Sequence, residues 1–193
     1  MQRRRTFQQY RAIDLALFAV MLCMAETVIV RAARFWYPDQ LYTVSVVGAL
    51  VSIVLMRWGP YAAIHAVLGG VAFVLASGGT ARQLFIYGAG NLLGMLSLLP
   101  LRKLGAERIR KDGFLSAGFA LMTLLEMQLG RALIALVTGA AAQSCLGFFT
   151  TDALSLLFTG VIVWIARRLD GIFEDQKHYL LRVNRSEEEK GGY

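Results

Sequence analysis

Long apolar stretches alternate with short polar ones along the whole chain, and this pattern predicts six membrane-spanning helices. A helix needs about 17–25 apolar residues to cross a hydrocarbon core of about 30 Å. The first, fourth and fifth stretches have that length, whereas the second, third and sixth are at or below its lower limit. Gly59 and Pro60 separate the second stretch from the third. The predicted spans cover residues 11–33, 41–57, 61–76, 84–101, 114–138 and 153–166.

Composition supports a membrane protein with a single domain. The chain has 193 residues, of which 56% are hydrophobic and 17% are charged, whereas soluble domains are about 25% charged. We expect an all-α bundle of six transmembrane helices over residues 11–168, with an N-terminal tail at 1–10 and a C-terminal tail at 169–193. Because these tails are too short to form a soluble domain, one integral membrane domain is predicted.

The distribution of Lys and Arg predicts the orientation of the bundle. Among the basic residues outside the spans or at their ends, one side of the membrane would hold only Arg31, Arg34 and Arg82, and the other side would hold the rest. Since basic residues favour the cytoplasmic side, both termini are expected in the cytoplasm of a multi-pass plasma-membrane protein. The net charge of +7 is therefore an orientation signal, and no nucleic-acid partner is expected.

Motifs for catalysis and nucleotide binding are missing from the sequence. The chain has no GxxxxGK[ST] phosphate-binding loop, no HExxH zinc motif and no GxSxG nucleophile elbow. Its two cysteines, Cys23 and Cys145, predict neither a disulfide framework nor a metal site. We therefore expect a protein that is not an enzyme and that needs no cofactor or metal.

Several polar side chains fall inside the predicted spans, where ionisable residues are candidates for function. With a rise of about 1.5 Å per residue, Glu26, Arg131 and Asp152 lie in the outward half of the bundle, and Asn91 and Glu126 lie near its middle. One interpretation is a polar cavity that opens outward and binds a small hydrophilic solute. The alternative is structural: Glu26 and Arg131 neutralise each other, and Asn91 hydrogen-bonds between helices.

Two predicted outward loops add candidates for the mouth of such a cavity. Trp36 and Tyr37 in "RFWYPDQ" are suited to stack on a ring-containing ligand, although Trp and Tyr also form the aromatic belt at membrane surfaces. Arg82 lies at the outer end of the fourth span, and Ser45 lies at the start of the second. The predicted substrate-binding residues are Glu26, Trp36, Tyr37, Ser45, Arg82, Asn91, Glu126 and Arg131.

Small residues form a stripe along the first predicted helix. At about 3.6 residues per turn, Ala12, Ala16, Ala19 and Cys23 lie within about 40° of one line, and Glu26 continues that line. Such stripes let helix backbones approach closely in lipid. The stripe predicts either a docking surface for a partner, with the three alanines as contacts, or packing within this bundle.

The chain resembles the substrate-binding S components of energy-coupling factor (ECF) transporters. The sequence "AIDLA", from Ala12 to Ala16, matches the Ala-x-x-x-Ala motif in the first span of that family. The chain length, the six predicted spans and the absence of ATPase motifs also match the family's layout. The resemblance implies that this surface docks on a transmembrane scaffold subunit, called T, which is bound to two ATPases. It also implies a vitamin-like substrate in the outer half, under the loops between spans one and two, three and four, and five and six.

These observations favour a transport subunit without catalytic activity of its own. We expect it to capture a small water-soluble micronutrient outside the cell and to deliver it through the scaffold and the ATPases. The alternative is a stand-alone ion-coupled secondary transporter that uses Glu26 and Glu126, although the sequence lacks inverted repeats and paired broken helices. A third possibility is an intramembrane enzyme or a structural assembly factor, and the missing catalytic motifs count against the enzyme.

Overall fold

The protein is built from helices, as the sequence predicts. The computed structural model describes residues 7–39, 42–169 and 172, and these residues contain no β-strand. The two predicted tails lie outside the described residues, apart from 7–10, 169 and 172. The α-helices of the described residues are α1 (Phe7–Trp36), α2 (Val47–Trp58), α3 (Ala62–Ser77), α4 (Ala81–Gly90), α5 (Leu98–Leu104), α6 (Ala106–Lys111), α7 (Gly113–Val137), α8 (Ala142–Thr150) and α9 (Ala153–Ala166).

Five helical stretches among the described residues are long and apolar enough to cross a membrane, which is compatible with a membrane-embedded protein. One of them folds back on itself at Gly59, whose φ of +60° is a conformation that favours glycine. A Cβ atom on Gly69 would lie 2.5 Å from Val47 Cγ1, so α2 and α3 pack side by side. The five stretches are Phe7–Trp36, Val47–Ser77, Ala81–Leu104, Gly113–Val137 and Ala142–Ala166.

The bundle has two chemically different ends. At the loop end, residues 37–39, 42–46, 78–80 and 138–141 lie between the helices, and the Thr43 amide donates to the Thr151 carbonyl at 2.8 Å. At the basic end, Arg110 donates to the carbonyl of Met56 in the last turn of α2. The basic end carries nine basic and three acidic described residues: Arg11, Arg57, Arg102, Lys103, Arg108, Arg110, Lys111, Arg167 and Arg168, with Asp14, Glu107 and Asp112.

The helix at the centre of the bundle is α2. Every one of its residues except Arg57 is buried, and it packs against α3, α7 and α9. In contrast, α1 lies at the periphery, where it packs mainly on α3. Its Leu17, Met24 and Val28 side chains are 62%, 64% and 65% exposed, which suits a surface that contacts lipid or a partner.

The second helix begins later than predicted. Although the sequence is apolar from residue 41, residues 42–46 are not helical and α2 starts at Val47. Three of their backbone N–H groups bind other parts of the chain: the Thr43 amide donates to the Thr151 carbonyl at 2.8 Å, and the Ser45 and Val46 amides donate to Ser155 Oγ and Glu26 Oε2, both at 2.9 Å. Side chains from other helices therefore stabilise a non-helical segment that hydropathy assigns to a span.

Three other segments also differ from their predicted form. The fourth predicted span is not one continuous α-helix, because Asn91–Ser97 form a 3₁₀-helix between α4 and α5. Segments 102–113 and 139–152, predicted as loops, contain α6 and α8, which bury Ile109 and Cys145 respectively. By comparison, α7 agrees with the fifth predicted span within one residue at each end, and α9 has the bounds predicted for the sixth.

Glycines bring α4 and α7 into backbone contact. A Cβ atom on Gly130 would lie 2.0 Å from the Gly90 carbonyl oxygen, and a Cβ atom on Gly90 would lie 2.6 Å from Arg131 Cα. On the other side of α4, a Cβ atom on Gly70 of α3 would lie 2.6 Å from the Tyr87 carbonyl oxygen. Only glycine permits these distances, so α4 is held closely between α3 and α7.

We expect Gly130→Ala to destabilise the protein, because its methyl group would force α4 away from α7. Overpacking of this kind typically costs about 1–3 kcal/mol. The measurement is thermal unfolding of the purified protein in detergent micelles. Gly118→Ala is the matched control, since a Cβ atom on Gly118 of the same helix would have no neighbouring atom within 4 Å. Equal Tm values for the two variants would contradict the contact.

Candidate functional site

Arg131 lies at the centre of a buried polar network near the loop end. Its Nη1 atom is 3.0 Å from Asp152 Oδ2, and its Nε donates to Asn91 Oδ1 at 2.7 Å. Asn91 in turn donates to the Ala66 carbonyl of α3 at 2.9 Å. The guanidinium carbon lies 4.7 Å from the centre of the Tyr87 ring, a cation–π distance. Arg131 therefore has a carboxylate, an amide oxygen and an aromatic face as neighbours.

Asp152 accepts hydrogen bonds with both of its oxygens. Oδ2 accepts from Gln128 Nε2 at 3.2 Å in addition to Arg131. Oδ1 accepts from the Thr43 hydroxyl at 3.1 Å and from the Ser155 hydroxyl. The network thus links α3, α4, α7, α9 and the segment 42–46, and it satisfies groups that would be costly to bury alone.

Glu26 is not the partner of Arg131, which pairs with Asp152 instead. Glu26 is fully buried, and its Oε2 accepts the Val46 amide at 2.9 Å. That amide lies at the start of α2, where backbone N–H groups lack partners within the helix. The Glu26 carboxyl group therefore acts as a cap for α2, supplied by a neighbouring helix.

The second carboxylate of α1, Asp14, binds the other end of α2. Its two oxygens lie 2.6 Å from Arg57 Nε and 2.8 Å from Arg57 Nη2, and Trp58 Nε1 donates to it at 2.5 Å. Asp14 and Glu26 are 12 residues apart, or about 18 Å along a helix. Because α2 also has 12 residues, the spacing of the two carboxylates on α1 matches the length of α2.

A cavity of about 410 Å³ lies beside the polar network at the loop end. Its walls come from α1, the segment after α1, α3 and α4. The Phe73 and Tyr87 rings stack in its wall with centroids 4.8 Å apart, and Tyr87 also contacts Arg131. The lining side chains with charge or hydrogen-bonding groups are Arg34, Tyr37, Tyr42, Thr43, Ser77, Gln83 and Tyr87.

The chemistry of this cavity is aromatic and positively charged. Arg34 is the one charged side chain among the described residues that line it, and it donates to the Ser77 carbonyl. The Tyr87 hydroxyl makes no hydrogen bond within the described part of the chain, so it is available to a ligand. The arrangement is suited to stack on a planar group, to form hydrogen bonds and to attract negative charge.

The three residues predicted at the mouth of the cavity, Trp36, Tyr37 and Arg82, lie at different positions relative to it. Tyr37 is among the residues that line the cavity. Trp36 is 71% exposed and is not part of the lining. Arg82 is also exposed, and its Nε lies 3.4 Å from the Thr138 hydroxyl, next to the loop after α7.

The predicted residues inside the spans do not line the cavity. Glu126 is half-buried and accepts a hydrogen bond from Ser97 at 2.7 Å, and Thr123 donates to the same Ser97 hydroxyl at 2.8 Å. The polar residues therefore form a packed interior network, with the open space next to it. The other four, Glu26, Ser45, Asn91 and Arg131, are buried in or beside the network.

Tyr87 and Gln83 are the cavity residues that sequence reasoning missed most clearly. Tyr87 lies in the apolar run "LFIYGAG", and Gln83 lies in a predicted loop. A signal was present, however: Gln83, Tyr87 and Asn91 are spaced four apart, a spacing that predicts one face of a helix. In the structure Gln83 also caps α4, where its Oε1 accepts the Thr80 amide at 2.7 Å.

The stripe of small residues on α1 runs from the surface into the interior. Ala12 and Ala16 are exposed, Ala19 and Cys23 are half-buried, and Glu26 is fully buried. Exposure decreases along the stripe because the segment 42–46 covers α1 near the loop end. The exposed part of the stripe is therefore limited to the turns nearest the basic end, and Glu26 does not share its surface.

No protein-family model, curated protein or solved structure matches the chain. The fold and the site nevertheless indicate the class of protein to which the chain belongs. The described residues form an all-helical bundle compatible with a membrane, with a buried ion-pair network and an aromatic, cationic cavity at one end.

We expect Asp152→Ala to destabilise the protein strongly, because it leaves the Arg131 guanidinium buried without its carboxylate. Loss of one partner of a buried pair typically costs about 3–5 kcal/mol. Unfolding in detergent by a denaturant titration measures the effect. Lys111→Ala serves as the control, since it removes an ion pair whose side chains are 76% and 79% exposed and should change stability by less than about 1 kcal/mol. Similar losses in both variants would contradict a special role for the buried pair.

Proposed function

We propose that this protein is the S component of an ECF-type importer, which binds a small water-soluble micronutrient at the plasma membrane. The cavity of about 410 Å³ at the loop end is the observation that carries the proposal. It lies at the opposite end of the bundle from the basic cluster. Since basic residues favour the cytoplasmic side, the cavity faces outward, where a substrate-capture subunit needs its site.

The proposal includes six membrane crossings with both termini in the cytoplasm. The fold-back at Gly59 divides one apolar stretch into α2 and α3, which supports six crossings rather than five. The two ends of the described chain also lie together at the basic end. The Phe7 and Trp58 ring centroids are 6.0 Å apart, and Arg57 Nη1 donates to the Ile172 carbonyl at 3.2 Å.

The lining of the cavity favours a planar substrate that carries a negative charge. Stacked rings in the wall offer a flat apolar surface, and Arg34 supplies the positive charge. The Tyr37, Tyr42 and Tyr87 hydroxyls provide hydrogen-bonding groups around them. A ring-containing vitamin with a carboxylate or phosphate group fits this combination.

Transport would depend on partners rather than on chemistry within this chain. Ala12 and Ala16 are exposed on α1, where a T subunit could approach the helix backbone closely. Two ATPases bound to that scaffold would supply the energy. The chain itself would bind and release substrate without catalysing a reaction.

Mass spectrometry of small molecules retained by the purified protein should identify the substrate. We expect Tyr87→Phe to weaken its binding by up to about tenfold, because one hydrogen bond contributes about 0.5–1.5 kcal/mol. Tyr61→Phe makes the same chemical change at the opposite end of the bundle and should leave affinity unchanged. Equal affinities for the wild type and both variants would place the ligand outside this cavity.

Ala16→Trp should abolish co-purification with a T subunit and two ATPases, because the indole would hold the two helix backbones apart. The isolated variant should still retain the small molecule. Leu133→Trp is the control, since Leu133 is an exposed residue on α7, 47% exposed and away from α1, and it should leave the complex intact.

Two outcomes would contradict the proposal. Loss of both ligand and partners in Ala16→Trp would mean that Ala16 supports the bundle itself. Uptake by the purified chain alone in liposomes, driven by a proton gradient, would instead favour the secondary transporter that uses Glu26 and Glu126.

A further inference from the structure

A second cavity lies at the basic end and is independent of the one proposed for substrate. Its volume is about 610 Å³, and it is bounded by the first turns of α1, the end of α2 with the turn that follows, α5 and α6. Four of its fifteen lining residues are arginines, and the other eleven are uncharged. The arginines are Arg11, Arg57, Arg102 and Arg110.

The positive charge of this cavity is only partly neutralised by the described residues. Asp14 binds Arg57 through both carboxylate oxygens, which accounts for one of the four arginines. Arg11 lies over the Tyr61 ring, with Cζ 4.3 Å from the centroid, and has no carboxylate partner in the described part of the chain. Arg102 is exposed and likewise has none among the described side chains. A bound anion would therefore meet the positive charges of Arg11 and Arg102.

The walls of the cavity are apolar, which restricts the kind of anion that fits. Leu55, Leu98 and Leu101 line it together with Trp58 and Phe7. A small soluble anion would gain nothing from these surfaces, whereas a ligand with a hydrocarbon portion would bury apolar area against them. The combination of cationic groups and apolar walls fits an amphipathic anion.

The location of the cavity also suits a lipid. Leu99 and Leu104, on α5 next to Arg102, are 58% and 49% exposed, so an apolar surface flanks the cavity. Tyr61 and Trp58 lie at its rim and wall, as aromatic residues do where a helix leaves the hydrocarbon core. Basic pockets between helices at this level are known to bind anionic headgroups.

We propose that this cavity binds the phosphate-bearing headgroup of an anionic phospholipid, with Arg11 and Arg102 as the principal contacts and the leucine walls against the upper acyl chains. The inference does not depend on the proposed transport function, because it uses none of the residues of the loop-end cavity. A bound lipid would fill the space between α1 and α5 and tie these helices together at the basic end.

Native mass spectrometry in detergent, with phosphatidylglycerol or phosphatidylcholine added, tests the site. We expect phosphatidylglycerol to remain bound and phosphatidylcholine to be lost. The double variant Arg11→Gln with Arg102→Gln should weaken phosphatidylglycerol binding about 30-fold, since each basic residue near an anionic headgroup contributes about 1 kcal/mol and about 1.4 kcal/mol is a factor of ten. The double variant Arg11→Lys with Arg102→Lys should keep most of the affinity for phosphatidylglycerol. This result would show that the glutamine variant binds weakly because it lacks the positive charges.

The matched control is Lys103→Gln with Arg108→Gln, which removes the same charge from the same end of the bundle at residues outside the cavity lining. It should retain phosphatidylglycerol. Equal losses in the two glutamine variants would overturn the proposal in favour of diffuse surface electrostatics. Displacement of the lipid by an equal concentration of glycerol phosphate would overturn it in favour of a soluble phosphate ligand.

Discussion

The buried ion pair between Arg131 and Asp152 is the interaction on which the arrangement of the loop end depends. Removing two charged groups from water costs several kcal/mol for each ion, so the pair is stable only if the remaining donors and acceptors are also satisfied. Asn91, Gln128 and Thr43 provide those hydrogen bonds. Because they come from the segment 42–46, from α7 and from the 3₁₀-helix that follows α4, one guanidinium and one carboxylate fix the relative positions of several elements.

The cavity next to this network is preorganised by it. The Tyr87 ring is held between Phe73, with centroids 4.8 Å apart, and the Arg131 guanidinium carbon, 4.7 Å from its centre. The close contact of Gly90 with Gly130 keeps α4 at the distance that these contacts require. A ligand would therefore meet a hydroxyl group already fixed in position, and would lose little affinity to ordering the site.

Hydropathy along the sequence predicts the bounds of several helices correctly. It does not predict features that depend on contacts with side chains from distant segments. The apolar runs of α7 and α9 end at charged or polar residues, and their bounds are correct within one residue. The start of α2 is missed because Glu26 and Ser155 bind the backbone of residues that are themselves apolar. Depth along the helices does place Glu26, Arg131 and Asp152 in the same half of the bundle, with Asn91 below them. It does not indicate which carboxylate pairs with Arg131, because that depends on how the helices are rotated.

The two carboxylates of α1, which would be unfavourable in contact with lipid, instead fix the position of α1 relative to α2. If their carboxylates faced the hydrocarbon core of a membrane, Glu26 and Asp14 would each destabilise the inserted helix, by about 2.5–3.5 kcal/mol at the centre of the bilayer. Both turn inward, and they bind the first and last turns of α2, which itself has almost no exposed surface. The opposite side of α1 near Asp14 carries the exposed Ala16. A partner that displaces α1 must therefore break two carboxylate contacts or move α2 with it. In the second case the segment 42–46, bonded to Glu26 through the Val46 amide, moves as well, and with it one wall of the loop-end cavity.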